Sequence, residues 1–525
     1  MTVWQHAARV TTHRLHRAAV YANVAQLLPV DDTQHGSAAR LLATAGRPAV
    51  RHLQTALATV ARWPVLGVLM AVTVIALTDI TTALAAETVE LSIPSKKVIL
   101  PNGLTVVVSP KDKLPIASIS VRFKVGSVYD PEEKAGLADM TARLLDKGTT
   151  QRTATAIAEE LDVLGARLDA SAGGTGSTVS LSLLAKDIEP GLDLLGDILQ
   201  DSRFELVELE RERTQMLAQI QQRRVNPRQV VSEVFREALY DEHALHRPIS
   251  GYASTVPQIT REDVLTFYQR FYVPNNAILV MVGDFSEVRM LELIERALGG
   301  WQARPLDQVT LPQPSPTHGK QVRVVDMDVN QTFVQFGHLS VRRADPEFAS
   351  LRAMNYILGG GGFVSRLTRS IREEQGLAYS VHSDFVGGSQ FPGFFYLGLQ
   401  TKIDTTSQAL ESLLAVINGM QQAPVSADEL ADMKLFYEGS LPRRAESYGQ
   451  VAGLLIDREF FGLPDGYWEA EIRQIQQLTS QDIQQLAQRY LHTDDFVLAL
   501  VSKGERLDLA VTAIPAEAIR YGPAP

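Results

Sequence analysis

The 525-residue sequence contains no cysteine, which removes two kinds of structure. Without thiols the chain cannot form disulfide bonds and cannot hold a metal through thiolate ligands. Histidine is also sparse, with 11 residues in the whole sequence and only six after position 86. An excess of basic charge is missing too. Because the net charge is −10, electrostatics give no reason to expect nucleic-acid binding.

The apolar run over residues 65–77 is shorter than the ~20 residues that a membrane-spanning helix needs. Arg62 precedes this run, and the small residues of Ala83-Leu84-Ala85-Ala86 follow it, as at a signal cleavage site. Residues 63–86 are therefore predicted to be a signal peptide, with the mature chain starting near Ala86 in the periplasm of a Gram-negative bacterium. The alternative is an uncleaved anchor that keeps the protein at the membrane.

Residues 1–62 do not suit the basic region of a signal peptide, since they are too long and carry seven Arg, no Lys and two acidic residues. We interpret them as a start site assigned too early, because a start at Val60 leaves an ordinary basic region. A genuine leader, similar to a transit peptide, is the alternative. The fold is expected to begin after residue 86, and the remaining chain is acidic.

The rest of the chain contains an internal repeat. Residues 259–271 match residues 478–490 at an offset of 219, and each copy predicts a helix that opens at Thr260 or Thr479. An apolar strand follows each copy, at 277–282 and 496–501. Residues 119–132 and 334–347 pair more loosely. The repeat predicts two homologous halves of roughly 210 residues each.

The Pro-rich segment 304–320 is typical of a linker, so we predict domains at 95–303 and 321–512. Strands alternate with amphipathic helices, most clearly in strands 116–125 and 179–185 and helices 153–164 and 206–224. This pattern predicts an α+β fold in which each half has a sheet covered by helices on one side.

The segment 136–149 reads Gly-Leu-Ala-Asp-Met-Thr-Ala-Arg-Leu-Leu-Asp-Lys-Gly-Thr. It resembles the inverted zinc motif of the pitrilysin/insulinase family of metallopeptidases, which is His-x-x-Glu-His in the same frame. In that motif two ligands at i and i+4 share one helix face, and the Glu is the general base. The resemblance places Asp139, Ala142 and Arg143 at these three positions.

These residues cannot perform the zinc chemistry. Arg143 is a permanent cation where a ligand is needed, and Ala142 cannot take a proton from water. The family's last ligand is a Glu about 76 residues downstream, where this chain has Gln219, a neutral and poor ligand. The resemblance therefore implies no metal and no other cofactor in this chain. We expect Asp139 and Arg143 to form an ion pair at the vacated metal position; the alternative is two independent surface charges.

The resemblance covers about residues 95–510 and includes the segment Leu100-Pro-Asn-Gly103. It implies two domains packed as halves of a clam-like chamber around a peptide. The Gly/Ser-rich stretch 171–178 leads into a strand where family members add an extended substrate to a sheet edge. In the loop 243–251, which resembles a family loop, His243 and His246 are assigned structural rather than metal-binding roles.

Arg372 and Tyr379 have the seven-residue spacing of a family pair that reaches substrate across the chamber from zinc. A guanidinium clamps a peptide carbonyl and a phenol donates to an oxyanion. The alternative is an Arg on a solvated helix face and a half-buried Tyr. Upstream, the run Gly359, Gly360, Gly361 and Gly362 resembles, in shortened form, the glycine-rich loop of the non-catalytic subunit of mitochondrial processing peptidase. It is either a substrate-contacting loop or a flexible turn without a binding role.

The resemblance implies a non-catalytic subunit of a heteromeric peptidase that is inactive alone. A paralogous partner with an intact His-x-x-Glu-His motif would hold the zinc, as in bacterial two-subunit homologues, and the shared substrate would be a peptide or unfolded polypeptide. Two alternatives are a scaffolding protein without a substrate and an autonomous metallopeptidase with relocated ligands. The second is disfavoured because no His forms an i, i+4 pair beside a carboxylate base.

Overall fold

The computed structural model describes residues 93–306, 310–511, 514–515 and 519–522. The predicted signal peptide and the segment before it lie outside these residues. No helix in the described part of the chain is both long and apolar enough to cross a membrane. The described chain forms two α+β domains, each with a six-stranded mixed sheet and helices, which confirms the predicted fold class.

The first sheet has the strand order β1-β2-β6-β3-β5-β4. Only β2 and β6 run parallel, and the other neighbours are antiparallel. Its strands are β1 (Lys96–Ile99), β2 (Thr105–Pro110), β3 (Ile116–Phe123), β4 (Arg167–Ala172), β5 (Ser177–Leu184) and β6 (Ala277–Gly283). The helices of this half are α1 (Leu137–Leu144), α2 (Ala154–Leu164), α3 (Ile188–Asp201), α4 (Leu206–Arg224), α5 (Pro227–Tyr240), α6 (Arg261–Phe271) and α7 (Glu287–Leu298).

The second sheet has the order β12-β7-β11-β8-β10-β9, with β7 parallel to both of its neighbours. Its strands are β7 (Lys320–Asp326), β8 (Gln331–Leu339), β9 (Ala378–Val386), β10 (Phe394–Lys402), β11 (Phe496–Ser502) and β12 (Ile519–Gly522). The helices are α8 (Phe348–Asn355), α9 (Thr406–Gln422), α10 (Ala427–Ser440), α11 (Tyr448–Phe461), α12 (Tyr467–Gln477) and α13 (Ser480–Tyr490), with π-helical turns at Tyr356–Gly360 and Thr368–Glu374.

The internal repeat corresponds to equivalent elements of the two domains. Helices α6 and α13 both open with a capping box, in which Thr260 or Thr479 exchanges hydrogen bonds with Asp263 or Asp482. Each helix then leads into an entirely buried strand, β6 or β11. The predicted helices and the strands after them are confirmed.

The two domains exchange a helix. Helix α5 belongs to the first half by sequence, but it packs on β8 and β11 of the second sheet through Val231 and Phe235. Helix α11 in turn packs on β3 and β6 of the first sheet through Val451 and Leu455. The expectation that helices cover each sheet on one side is therefore wrong where the exchanged helices pack. Because β6 and β11 are covered on both faces, they are continuously apolar rather than alternating.

Candidate functional site

Helix α1 carries the altered zinc motif and lies deep in the first domain, with all its residues except Arg143 buried. It begins after Gly136, whose φ of 103° suits glycine. The Asp130 carboxylate accepts hydrogen bonds from the Gly136 and Ala138 amides, each at 2.9 Å, and so caps the helix. Burial raises the pKa of Asp130 to about 7, against the opposing effect of these hydrogen bonds and Arg247.

The loop that contains His243 and His246 supports this helix start. A Cβ at Gly251 would lie 2.0 Å from the Ala135 carbonyl oxygen, so only glycine permits the close approach. His243 is buried, donates from Nε2 to the Pro312 carbonyl at 3.0 Å and accepts at Nδ1 from the Leu245 amide at 3.2 Å. Burial lowers its pKa. Both ring nitrogens of His243 are thus used within the protein, as the structural interpretation of this loop expects.

Three of the four altered positions converge at one point. The Arg143 guanidinium donates to the Asp139 carboxylate at 2.9 Å and to the Gln219 amide oxygen at 2.8 Å. The Asp139 side chain is only 11% exposed, and its burial raises its pKa, which Arg143 partly offsets. The predicted ion pair is confirmed, and the alternative of two independent surface charges is wrong. Ala142 is buried beside the pair and contributes only a methyl group.

A fourth polar side chain at this point was missed by the sequence interpretation. Glu212 on α4 is 7% exposed, and its carboxylate lies 3.9 Å from the Arg143 guanidinium. Its burial raises its pKa, while Lys147 and Arg143 oppose that effect. The sequence could have predicted the approach of Glu212, because it lies seven residues before Gln219 and so shares a helix face with it.

This donor set does not fit a zinc ion. Zinc sites use imidazole, thiolate or carboxylate ligands, whereas the centre of this cluster is a cation held by two carboxylates and an amide. Among the described residues, no three His, Asp or Glu are grouped so that they could hold a metal. Chemically, the cluster can stabilise α1 against α4, because its two carboxylates face the Arg143 cation.

Arg372 and Tyr379 lie together on the second domain. Arg372 is in the π-helical turn Thr368–Glu374, and Tyr379 is on β9. The Arg372 guanidinium carbon lies 5.1 Å from the centre of the Tyr379 ring and 4.8 Å from that of Phe363. Tyr379 is 79% exposed, so the alternative of a half-buried tyrosine is wrong. Their contact with substrate stays a prediction.

A β-bulge explains why Tyr379 points into solvent. On β10, Gln400 pairs with Ser380 and Thr401 pairs with Ala378, so Tyr379 has no residue opposite it. An extra residue of this kind bends the strand and redirects its side chain. The sequence pattern alone did not indicate the bulge.

The glycine run before Phe363 is ordered by close packing. A Cβ at Gly359 would lie 2.3 Å from the Ser383 hydroxyl, and one at Gly361 would lie 2.6 Å from the Tyr356 carbonyl. Gly362 has open space around it but a φ of 63°. The run places Phe363, which is 66% exposed, against Arg372. A substrate role for Gly359–Gly362 stays a prediction.

The Gly/Ser-rich stretch forms the tight turn between β4 and β5. The Gly173 and Gly174 carbonyls accept from the Ser127 and Val128 amides at 3.0 Å, close to the start of α1. Strand β4 is at the edge of the first sheet, and no described strand pairs with its outer side. This geometry suits strand addition.

Sequence comparisons agree with the geometry. The model of the insulinase family (peptidase family M16) matches residues 106–252, and that of the peptidase M16 inactive domain matches residues 258–435. A non-peptidase homologue, YmxG of Helicobacter pylori, is 25% identical over 75% of this chain and 90% of its own. An uncharacterized zinc protease of Mycobacterium leprae is 30% identical over 61% of this chain and 73% of its own. A probable mitochondrial-processing peptidase subunit beta of Arabidopsis thaliana is 28% identical over 53% and 54%.

Solved structures share the whole two-domain fold. The crystal structure of a peptidase M16 inactive domain from Pseudomonas fluorescens has a TM-score of 0.72 and 27% identity, covering 78% of this chain and 98% of that one. The periplasmic protease PqqL from Escherichia coli has a TM-score of 0.67 and 18% identity, covering 81% and 49%. The chain belongs to the insulinase family, peptidase family M16, and its residues at the family's zinc positions do not form a zinc site.

Proposed function

We propose that this chain is the non-catalytic subunit of a two-subunit zinc peptidase of the periplasm. One observation carries the proposal: the Arg143 guanidinium is held by Asp139 and Gln219 where the family has its metal. In the same chain, Arg372 and Tyr379 remain accessible. The first domain has therefore lost the chemistry, whereas the second retains groups suited to contact a substrate.

In this proposal the partner subunit supplies the zinc and the general base. Arg372 donates hydrogen bonds to a carbonyl of the bound peptide, since a guanidinium offers paired N–H donors. Tyr379 donates its hydroxyl hydrogen to the oxyanion that develops during hydrolysis. The cation–π contact between the two side chains holds the guanidinium near the phenol before substrate arrives.

Two further observations support the partner and the location. One relative is by its name a subunit of a processing peptidase, and another is by its name a non-peptidase homologue. The pattern of residues 63–86, with a basic flank, an apolar run and small residues, supports export. The partner is then a paralogue whose helix equivalent to α1 contains His-x-x-Glu-His.

The test is to purify this chain and a zinc-motif paralogue from the same organism, separately and together. We expect zinc only in the paralogue, and cleavage of a quenched fluorescent peptide only by the mixture. Tyr379→Phe should lower kcat/KM of the mixture by about 100-fold, as for loss of one oxyanion donor. Arg372→Ala should lower it as well, because the bound carbonyl loses its paired N–H donors. Arg443→Ala, at an exposed arginine elsewhere in the second domain, is the matched control.

Stoichiometric zinc in this chain alone, or cleavage by it, would contradict the proposal. If the two chains assemble and the mixture retains full activity with Arg372→Ala, this subunit is a scaffold rather than a participant in the site.

A further inference from the structure

A cavity with both polar and apolar walls lies on the second sheet, between helix α5 and strands β8, β9 and β10. Its volume is about 220 Å³, and it is formed where α5 leaves part of the sheet uncovered. We call it the Arg228 pocket, and the residues that matter most are Arg228, Phe333, Ser380, His382, Tyr396 and Gln400. Ser380 directly follows Tyr379 along β9, so the pocket adjoins the Arg372/Tyr379 pair.

The pocket contains a cation without a carboxylate partner. Arg228 donates to the Gln400 amide oxygen, and its guanidinium carbon lies 5.9 Å from the centre of the Phe333 ring. Within the described ranges, no Asp or Glu pairs with Arg228. Burial lowers the pKa of the neighbouring His382, and Arg228 adds to that effect against Asp384. His382 is consequently neutral at pH 7, which leaves Arg228 as the charged group of the pocket.

The remaining walls supply hydrogen-bond donors and a fixed shape. Ser380 and Tyr396, which both carry hydroxyl groups, line the cavity. A Cβ at Gly398 would lie 2.8 Å from the His382 ring, so glycine allows this ring to approach β10 closely. A guanidinium that shares its cavity with two hydroxyl-bearing side chains suits a planar anion of the size of a carboxylate.

We propose that the Arg228 pocket binds a carboxylate of the peptide that Arg372 and Tyr379 contact, and so selects acidic substrates. This inference rests on the proposed function, because it assumes a peptide on this face of the second domain. The carboxylate comes either from an Asp or Glu side chain or from the C-terminus of the peptide. Either source presents the same two oxygens to the guanidinium.

Fluorescence anisotropy with the full chain tests this proposal through three labelled peptides of about ten residues. The first contains one central Glu and an amidated C-terminus. The second has Gln in place of Glu, and the third is the Gln peptide with a free C-terminus. We expect the Glu peptide, the free C-terminal peptide, or both, to bind at least about tenfold more tightly than the neutral one.

Arg228→Met should abolish that preference without weakening binding of the neutral peptide, because Met keeps an apolar stem beside Phe333. Gly398→Val, which displaces the His382 ring, should have a similar effect. Arg224→Met, at an exposed arginine outside the pocket, is the control, and circular dichroism with thermal unfolding verifies the fold of each variant.

Equal affinity for all three peptides, no binding of any of them, or an equal loss for all of them in Arg228→Met overturns the pocket assignment. Failure of the proposed function can be told apart from failure of the pocket assignment. The proposed function fails if the two-subunit mixture that contains Arg372→Ala keeps full activity. Activity that depends on Arg372 together with no carboxylate preference rejects the pocket alone.

Discussion

At the scale of single residues, the Arg143 cluster shows how a metal position is neutralised rather than left open. A buried Asp139 without a counter-charge would be unfavourable, because burial disfavours its ionised form. Arg143 supplies the charge, its guanidinium donates a further hydrogen bond to Gln219, and the Glu212 carboxylate lies 3.9 Å away. The four side chains therefore behave as one unit, and a change at one of them alters the ionisation of the others.

Arg143→Met should lower the free energy of unfolding by about 1–3 kcal/mol at pH 7, since it leaves Asp139 buried and unpaired. Burial raises the pKa of Asp139 in the folded state. Ionisation of Asp139 therefore destabilises the folded state at high pH, whereas below about 3.9, the pKa of Asp in the unfolded chain, the carboxyl is neutral in both states and this destabilisation is absent. The destabilisation should therefore shrink as pH falls toward about 4. Urea denaturation across this range measures it.

The double variant Asp139→Asn/Arg143→Met is the control for that prediction. It removes the titrating carboxylate together with the cation, so the additional loss of stability that Arg143→Met shows at pH 7 compared with pH 4 should be absent from it. A destabilisation of the single variant that is the same at pH 4 and pH 7 would contradict the ion-pair account.

The burial of His338 predicts a second pH dependence of the free energy of unfolding. The imidazole donates from Nδ1 to the Leu339 carbonyl at 2.9 Å and accepts at Nε2 from the His492 amide at 3.2 Å. Burial lowers the pKa of His338 to about 3, so the folded state binds fewer protons than the unfolded state below pH 6.5. Its contribution to stability is full above pH 6.5 and falls by about 1.4 kcal/mol per unit below it.

His338→Gln removes this titration and should flatten the pH dependence of the free energy of unfolding between pH 6.5 and pH 4 by about that slope. His318→Gln, at an exposed histidine in the linker, is the matched control. If His338→Gln leaves the pH dependence of the free energy of unfolding unchanged between pH 6.5 and pH 4, folding does not lower the pKa of His338.

At the scale of elements, the exchanged helices α5 and α11 decide which substitutions affect which sheet. Phe235 is fully buried, and its side chain lies against Gly337 of β8. On α11, Leu455 is likewise buried and packs against the first sheet. A substitution on α5, in the first half of the sequence, should therefore destabilise the second sheet. A substitution on α11, in the second half, should destabilise the first sheet.

Phe235→Ala should reduce the free energy of unfolding by about 3–5 kcal/mol, the usual result of removing a buried aromatic ring. Hydrogen exchange followed by mass spectrometry should show the loss of protection in β8 and β11 rather than in the first sheet. Leu455→Ala should instead deprotect β3 and β6. Leu435→Ala, at a side chain that is 68% exposed, is the control and should change stability by less than about 0.5 kcal/mol.

At the scale of the whole molecule, the helix exchange joins the two halves into one cooperative structure. Separating the halves uncovers an apolar helix face and an apolar sheet face on each. Association driven by burial of that much apolar surface does not need the linker to be continuous.

A specific protease site inserted after residue 312 in the linker tests this. After cleavage, the halves should co-elute as one species in size-exclusion chromatography, and their Tm should rise with protein concentration because unfolding now releases two chains. The same site in uncleaved protein is the control, with a Tm that is independent of concentration. Two separate, independently folded fragments after cleavage would contradict the cooperative account.

Local pattern predicted the parts of this structure that depend on local geometry. The helix 206–224 has the bounds that the sequence predicted, because the spacing of apolar residues along a helix depends only on local geometry. The strand 179–185 is observed two residues earlier at its start and one earlier at its end, since pairing with β3 and β4 sets its bounds. Tyr379 was the harder case, because its exposure depends on a bulge opposite Gln400 that no periodicity encodes.

The sequence by itself determined that the chain has two related α+β halves and that the residues at the family's zinc positions, taken together, do not suit a zinc site. It also predicted the ion pair of Asp139 and Arg143, since residues four apart on a helix are neighbours in any fold. Tertiary structure alone decided the helix exchange, the approach of Glu212 to Arg143, and the Arg228 pocket. These features join residues far apart in the chain, such as Arg228 and Gln400 at a separation of 172, and only packing brings such residues together.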